Sequence, residues 1–314
     1  MKDAWFCLCC LPLLFVHVSA ADATDCMSMV QRQALPLSPA RHKYKSKPWE
    51  VNNYIFANYH KAGVFLSVEL LLKITGILGA ADEVVGQIEY PCYADRPPPF
   101  GPFCYNTEAP MRFFTDSLNA SVLEAERRKS GSKRLLVAGL VRDPFMMVAS
   151  AYCYHHTGQE IGNELFPVLE IMQKGLEQGT ALVAEHFLPI AEWMASIYDH
   201  PDPDILRLEF DDITESSNGF DLAVQRLLDH FFGTGTELIS EQDRFRMIEA
   251  ARALDMNRHG NASYVTQGLI TRRHNTDTTC KKAARAALDT SLDSALLEKY
   301  KDLQRRLGYR LSSA

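Results

Sequence analysis

An uninterrupted apolar run, Leu-Leu-Val-Ala-Gly-Leu-Val at residues 135–141, is the feature that most constrains the fold. Such a run is typical of a strand buried on both faces inside a parallel sheet. Asp143 and Pro144 follow it, and they predict the start of a helix, because Asp caps free backbone amides and proline is tolerated at the first helical position. The segment therefore predicts a strand–loop–helix unit.

The same alternation of strands and helices recurs along the chain. Further strands are predicted at residues 54–59, 84–88 and 205–210, and helices at residues 64–78, 181–198, 220–232 and 291–307. This order predicts an α/β fold, a doubly wound parallel sheet flanked by helices. We expect one domain over residues 51–314, preceded by a polar lead-in or stalk at residues 21–50.

The first twenty residues predict entry into the secretory pathway. Lys2 precedes a nearly unbroken apolar segment at residues 5–18, and small residues at 18–20 suit a signal peptidase. The segment is short for a membrane span, so we expect a signal peptide, with a short signal anchor as the alternative. The protein is then expected in the Golgi lumen or outside the cell, with membrane contact only if the segment is an uncleaved anchor.

The N-glycosylation sequons at Asn119 and Asn261 are also consistent with a lumenal location. Of the eight cysteines, three lie in the apolar start, which leaves five and therefore at least one without an intrachain partner. A disulfide between Cys92 and Cys104 would close a short proline-rich loop. The alternative is that all five are buried thiols.

Several function classes are disfavoured by composition and motifs. The net charge of −6 argues against general nucleic-acid binding. The sequence contains no Walker A, GxGxxG or GxSxG pattern, which disfavours common kinases, dehydrogenases and hydrolases. Outside the apolar start it contains neither CxxC nor HExxH, so we expect no metal site.

Two predicted strand ends carry residues suited to binding phosphate. The first is the loop from His60 onwards, where Gly63 allows backbone amides to approach an anion and Lys61 adds charge. The second is Arg142, with Ser150 eight residues later on the following helix. Since the carboxyl ends of parallel strands collect ligands, the two junctions predict one anion site.

Together, and in this order, these elements resemble the PAPS-dependent sulfotransferase family. The family's first loop, P-K-S-G-T-T-W, is matched by His60-Lys61-Ala62-Gly63-Val64-Phe65, and its Arg-x-Pro with a Ser eight residues after the Arg is matched by Arg142, Pro144 and Ser150. Residues 205–213 resemble its "lrYEDL" strand and residues 307–309 its closing "lGY". The resemblance implies a P-loop-like nucleotide-binding core and a sulfotransferase that uses PAPS as co-substrate, without metal.

The resemblance also implies roles for individual residues. The loop residues Lys61, Ala62, Gly63, Val64, Phe65 and Leu66 would surround the 5′-phosphosulfate, and Arg142 and Ser150 would bind the 3′-phosphate. Val64 replaces a threonine of the pattern, and Phe65 replaces a tryptophan but could still stack on adenine. The family's cytosolic branch carries R-K-G near the C-terminus, which contacts the 3′-phosphate; this sequence lacks that motif, and Arg272 and Arg273 are candidates to replace it.

An acceptor hydroxyl or amine must also lose its proton, so a general base is required. Glu89 is our first candidate, because Glu89-Tyr90-Pro91 resembles the glutamate-bearing stretch of the family's lumenal glycan branch; His60 is the second. His155 and His156 also follow Ser150 on the predicted helix, but an ordinary histidine pair at a helix end is the favoured interpretation for them. The acceptor, a glycan, peptide or small metabolite, is not determined by the sequence. The alternatives to a sulfotransferase are a kinase-like phosphotransferase and an inactive lumenal protein that keeps the fold.

Overall fold

Five apolar segments form one sheet whose strands all run parallel. The structure is a computed structural model that describes residues 47–79, 85–89, 109–163, 165–258 and 277–310. Predictions for the apolar start, Cys92, Cys104, Asn261, Arg272 and Arg273 therefore lie outside the described residues. The strands are β1 Asn52–Asn58, β2 Val85–Glu89, β3 Met111–Thr115, β4 Arg134–Val141 and β5 Ile205–Glu209.

Both faces of the sheet are covered by helices. The helices are α1 Pro48–Val51, α2 Val64–Ile77, α3 Ala120–Ser130, α4 Pro144–His155, α5 Val168–Gln173, α6 Leu176–Tyr198, α7 Phe210–Glu215, α8 Ser217–Phe232, α9 Glu241–Arg252, α10 Thr278–Ser291 and α11 Ser294–Arg306. One hydrophobic core packs the sheet against α4, α6, α10 and α11, and a second packs it against α2, α8 and α9. The predicted doubly wound parallel sheet is confirmed.

The central strand shows why the fold needs two cores. The strand order is β2-β3-β1-β4-β5, so β1 has neighbours on both sides. Along β1, Tyr54 and Phe56 enter one core while Ile55 and Ala57 enter the other, and all four are fully buried. This alternation follows the two-residue period of a strand and explains why the segment is apolar throughout.

Strand β3 was missing from the sequence prediction. It lies between β1 and β2, yet Arg112 interrupts its apolar residues. The Arg112 side chain is buried, and its guanidinium forms an ion pair with the carboxylate of Glu126 on α3. A buried charge is tolerated when it is paired. The partner lies in another element, so local periodicity could not reveal the strand.

The predicted start of α4 is confirmed, and the predicted C-terminal helix is present with a later start. The Asp143 carboxylate accepts hydrogen bonds from the amides of Phe145 (2.8 Å) and Met146 (3.4 Å), with Pro144 at the first position. The helix predicted at residues 291–307 is observed as α11 and begins at Ser294, because Asp293 caps its first turn. Helix α10 precedes it and was not predicted. Among the described residues, the helices do not combine the length and apolar character needed for a membrane span.

Candidate anion-binding site

The loop between β1 and α2 has the backbone shape of an anion cradle. Lys61 and Gly63 both adopt left-handed conformations, with φ of 64° and 93°. A Cβ atom at Gly63 would lie 2.9 Å from the Phe210 ring, so a side chain would clash there. Gly63 also has no side chain to cap the first turn of α2. An anion here would meet the first amides of α2 and the positive end of its dipole.

The other predicted loop residues differ in exposure. Ala62 is fully buried, and its amide donates to the Tyr59 carbonyl (2.9 Å). Val64 and Leu66 are partly buried against the core on the α2 face of the sheet. The Phe65 ring is 43% exposed at the start of α2. Its stacking on adenine stays a prediction, and the exposed ring gives a planar ligand access.

Arg142 reaches from the end of β4 to the same loop. Its Nη1 donates to the Lys61 carbonyl oxygen (2.9 Å), and its guanidinium carbon lies 4.5 Å from the centroid of the Phe210 ring. The Nε atom is buried without a hydrogen bond to any described residue, with the nearest Asp211 carboxylate oxygen 3.7 Å away. Burial lowers the pKa of Arg142, against the attraction of Asp211. A buried cation with an unused donor fits an anionic ligand.

The face of α4 that carries Ser150 turns toward Lys61. The Lys61 ammonium nitrogen lies 3.2 Å from the centroid of the Tyr154 ring. Tyr154 follows Ser150 by one helical turn, so both residues share one face of α4. Ser150 itself is 4% exposed. The structure therefore brings the Lys61 loop, Arg142 and this face of α4 to one place. The prediction that the two strand ends form one anion site requires this arrangement.

A third cation, Lys281 on α10, lies near the site and was missed by the sequence analysis. Burial, together with smaller contributions from repulsion by Arg142 and Lys281, lowers the pKa of Lys61 to about 7, whereas attraction by Glu160 opposes the shift. Burial and repulsion from Arg142 lower the pKa of Lys281 too. Three cations that repel one another make an electrostatic site for an anion.

The ring of His60 contacts the ring of His155. The two Nε2 atoms are 3.1 Å apart, and Nδ1 of His155 lies 3.2 Å from the carbonyl oxygen of Gln159. Since that carbonyl can only accept, Nδ1 of His155 carries the proton, and Nε2 of His60 must donate to Nε2 of His155. Burial holds the pKa of both rings low. Only Nδ1 of His60 is left to act as a base.

His60, His155 and the Glu160 carboxylate also place one potential metal ligand each within 4.8 Å of one another. The two imidazole planes are 5° from parallel with centroids 5.2 Å apart, so the close Nε2 atoms lie between the rings and point at each other. Two ligand lone pairs must instead converge on a metal about 2.0–2.1 Å from each nitrogen. Lys61 repels cations here as well, because its charge lowers both histidine pKa values. The geometry favours the hydrogen bond.

Glu89 is the last residue of β2, not the first residue after it as predicted. Its backbone pairs with Thr115 of β3, which in turn pairs with Asn58 of β1. All three residues therefore stand at the carboxyl edge of the sheet, where Lys61 also lies. With strands about 4.8 Å apart, Glu89 is about 10 Å from Asn58 along this edge. Its role as a base stays a prediction.

Residues 205–213 and residues 307–309, which resemble the family's "lrYEDL" and "lGY" motifs, contact each other. Tyr309 donates a hydrogen bond to the carboxylate of Glu209, and the guanidinium carbon of Arg207 lies 5.4 Å from the Tyr309 ring centroid. Arg207 also donates to the Leu307 carbonyl. These contacts hold residues 307–309 beside β5, next to the Phe210 and Asp211 residues that flank Arg142.

Comparisons with known proteins find solved structures that are similar only at low sequence identity. No protein-family model matches the sequence, and no curated protein sequence matches it. Retinol dehydratase in complex with androsterone and the inactive cofactor PAP is 14% identical, with a TM-score of 0.45 over 85% of this chain and 84% of that one. Mouse sulfotransferase SULT7A1 complexed with PAP is 10% identical, with a TM-score of 0.41 over 84% of this chain and 98% of that one. The chain is thus similar to two solved structures that hold PAP, one of them a sulfotransferase.

Proposed function

We propose that this protein is a PAPS-dependent sulfotransferase that transfers a sulfuryl group to a hydroxyl or amine of an acceptor. The observation that carries the proposal is the contact between the two sequence motifs: Arg142 donates to the Lys61 carbonyl beside the uncapped start of α2. A donor with phosphate groups at both ends of its ribose needs positive charge at two adjacent points. The loop supplies one, and Arg142 with the Ser150 face of α4 supplies the other.

The reaction needs positioning and charge stabilisation more than covalent help, as phosphoryl transfer does. The acceptor oxygen or nitrogen attacks sulfur, the bond from sulfur to the 5′-phosphate oxygen breaks, and PAP leaves. Negative charge grows on that phosphate oxygen. We propose that Lys61 and the first amides of α2 stabilise it. The acceptor proton passes to a base, for which we propose Glu89.

Cofactor binding tests the proposal most directly. We expect the purified full chain to bind PAP at least about tenfold more tightly than adenosine 5′-monophosphate, because a phosphate that meets buried cations gains charge-assisted hydrogen bonds. Isothermal titration calorimetry measures both. A preference for ATP over PAP would instead support a kinase-like protein, and PAP binding without sulfate transfer to any acceptor in a cell extract would support an inactive protein.

The base is tested by Glu89→Gln. This variant keeps the side-chain shape, so we expect unchanged PAP affinity and turnover lowered by about 100-fold or more, the lower range for a lost general base. Labelled PAPS with an acceptor from the extract assay gives the turnover. Glu124→Gln, an exposed position on α3, is the matched control. Near-normal turnover in Glu89→Gln would remove Glu89 from the mechanism.

A further inference from the structure

The Cys153–Cys280 disulfide joins α4 to α10, and it places Lys281 near the proposed cofactor site. The bond spans 127 residues of sequence and brings the two Cα atoms to 6.0 Å. Cys153 lies between Ser150 and Tyr154 on the helix that faces the Lys61 loop. Lys281 follows Cys280 directly. The position of the lysine is therefore set by a covalent link to the site.

A second contact gives the direction of α10. The guanidinium carbon of Arg285 lies 4.3 Å from the centroid of the Phe145 ring, near the start of α4. Cys280 meets the end of α4 and Arg285 meets its beginning, so the helices run antiparallel. Lys281, one residue after Cys280, therefore lies beside the part of α4 between Phe145 and Cys153. This part of α4 contains Ser150.

The charges around Lys281 agree with this placement. Arg142 repels it, whereas Asp211 and Asp277 attract it. The ammonium group of Lys281 also repels that of Lys61 and contributes to the lowered pKa of Lys61. Lys281 thus stands among the two other cations of the site. Its neighbour Lys282 is exposed on the same helix.

We propose that Lys281 binds the 3′-phosphate of PAPS together with Arg142, and that the Cys153–Cys280 disulfide holds it in place. This inference rests on the proposed function. It supplies from α10 a positive charge of the kind that the missing R-K-G would provide. Loss of the disulfide would release the start of α10 and lower the affinity for the cofactor.

The test compares Lys281→Met with Lys282→Met on the full chain. Methionine keeps the length of the side chain and removes only its charge. We expect Lys281→Met to weaken PAP binding about tenfold or more, the loss of one charge-assisted contact, while binding of adenosine 5′-monophosphate changes little. Lys282→Met should change neither affinity. Unchanged PAP affinity, or an equal loss for both nucleotides, would overturn the role of Lys281 and leave the proposed function intact. If the wild-type chain bound no PAP, both would fail.

The disulfide is tested by comparing the oxidised and the reduced protein. We expect reduction to weaken PAP binding in the wild-type chain but much less in Lys281→Met, where the tethered charge is already gone. The double variant Cys153→Ala/Cys280→Ala should bind PAP as weakly as the reduced wild type, and its PAP affinity should not change when reductant is added. Thermal unfolding confirms that each variant is folded at the assay temperature. An equal effect of reduction on wild type and Lys281→Met would show that the disulfide does not act through Lys281.

Discussion

Replacing Lys61 by methionine is expected to slow sulfuryl transfer by about 100-fold or more while weakening PAP binding much less. In the proposed mechanism the ammonium group meets charge that develops only as the bond from sulfur to phosphate breaks, and removing one such stabilising group costs about 10²–10³ in turnover. The methionine side chain can still cover the Tyr154 ring, so the loop should keep its shape. Steady-state turnover with labelled PAPS and calorimetry with PAP separate the two effects.

The lowered pKa of Lys61 predicts that PAP affinity depends on pH, and the same variant tests this dependence. Burial lowers this pKa to about 7, so the lysine of the cofactor-free protein loses its charge as the pH rises through about 7. Binding of an anion favours the protonated form, and above pH 7 the protein must take up a proton to bind PAP. The affinity of the wild type for PAP should therefore fall as the pH rises above about 7, in total by no more than Lys61→Met weakens it. Lys61→Met should show a smaller slope. An identical slope in both would mean that Lys61 does not meet the ligand.

Replacing Arg142 by alanine is expected to have its main effect on cofactor affinity. The guanidinium is 7% exposed and bonded to the Lys61 carbonyl, so its loss removes a cation and loosens the loop. A charge-assisted hydrogen bond contributes about 1.5–3 kcal/mol, and we expect PAP binding to weaken by at least that amount, about 10- to 150-fold.

Two control variants make the Arg142 result specific. Arg142→Lys keeps the charge but loses the planar fork, so its affinity for PAP should fall between wild type and alanine. Arg128→Ala, an exposed position at the end of α3, should bind PAP normally. Wild-type PAP affinity in Arg142→Ala would contradict both the site and the sulfotransferase proposal.

Much of the fold was predictable because its signals are local. The run at residues 135–141 predicted β4, and Asp143 with Pro144 predicted the start of α4, since strand burial and helix capping depend on neighbours within a few residues. The loop at Lys61 and Gly63 was predictable for the same reason. Both elements end at the carboxyl edge of the sheet, so parallel topology was enough to place Lys61 and Arg142 in one site.

The tertiary structure decided what depends on distant partners. Strand β3 tolerates the buried Arg112 because Glu126 pairs with it, and His60 is oriented by His155, 95 residues later. Lys281 belongs to the site because a disulfide across 127 residues and the antiparallel packing of α10 bring it there. Periodicity and capping report on interactions within one or two turns of the chain. Charge pairing, hydrogen bonding and cross-linking between remote residues leave no such pattern, because their free energy depends on distances that only the folded chain establishes.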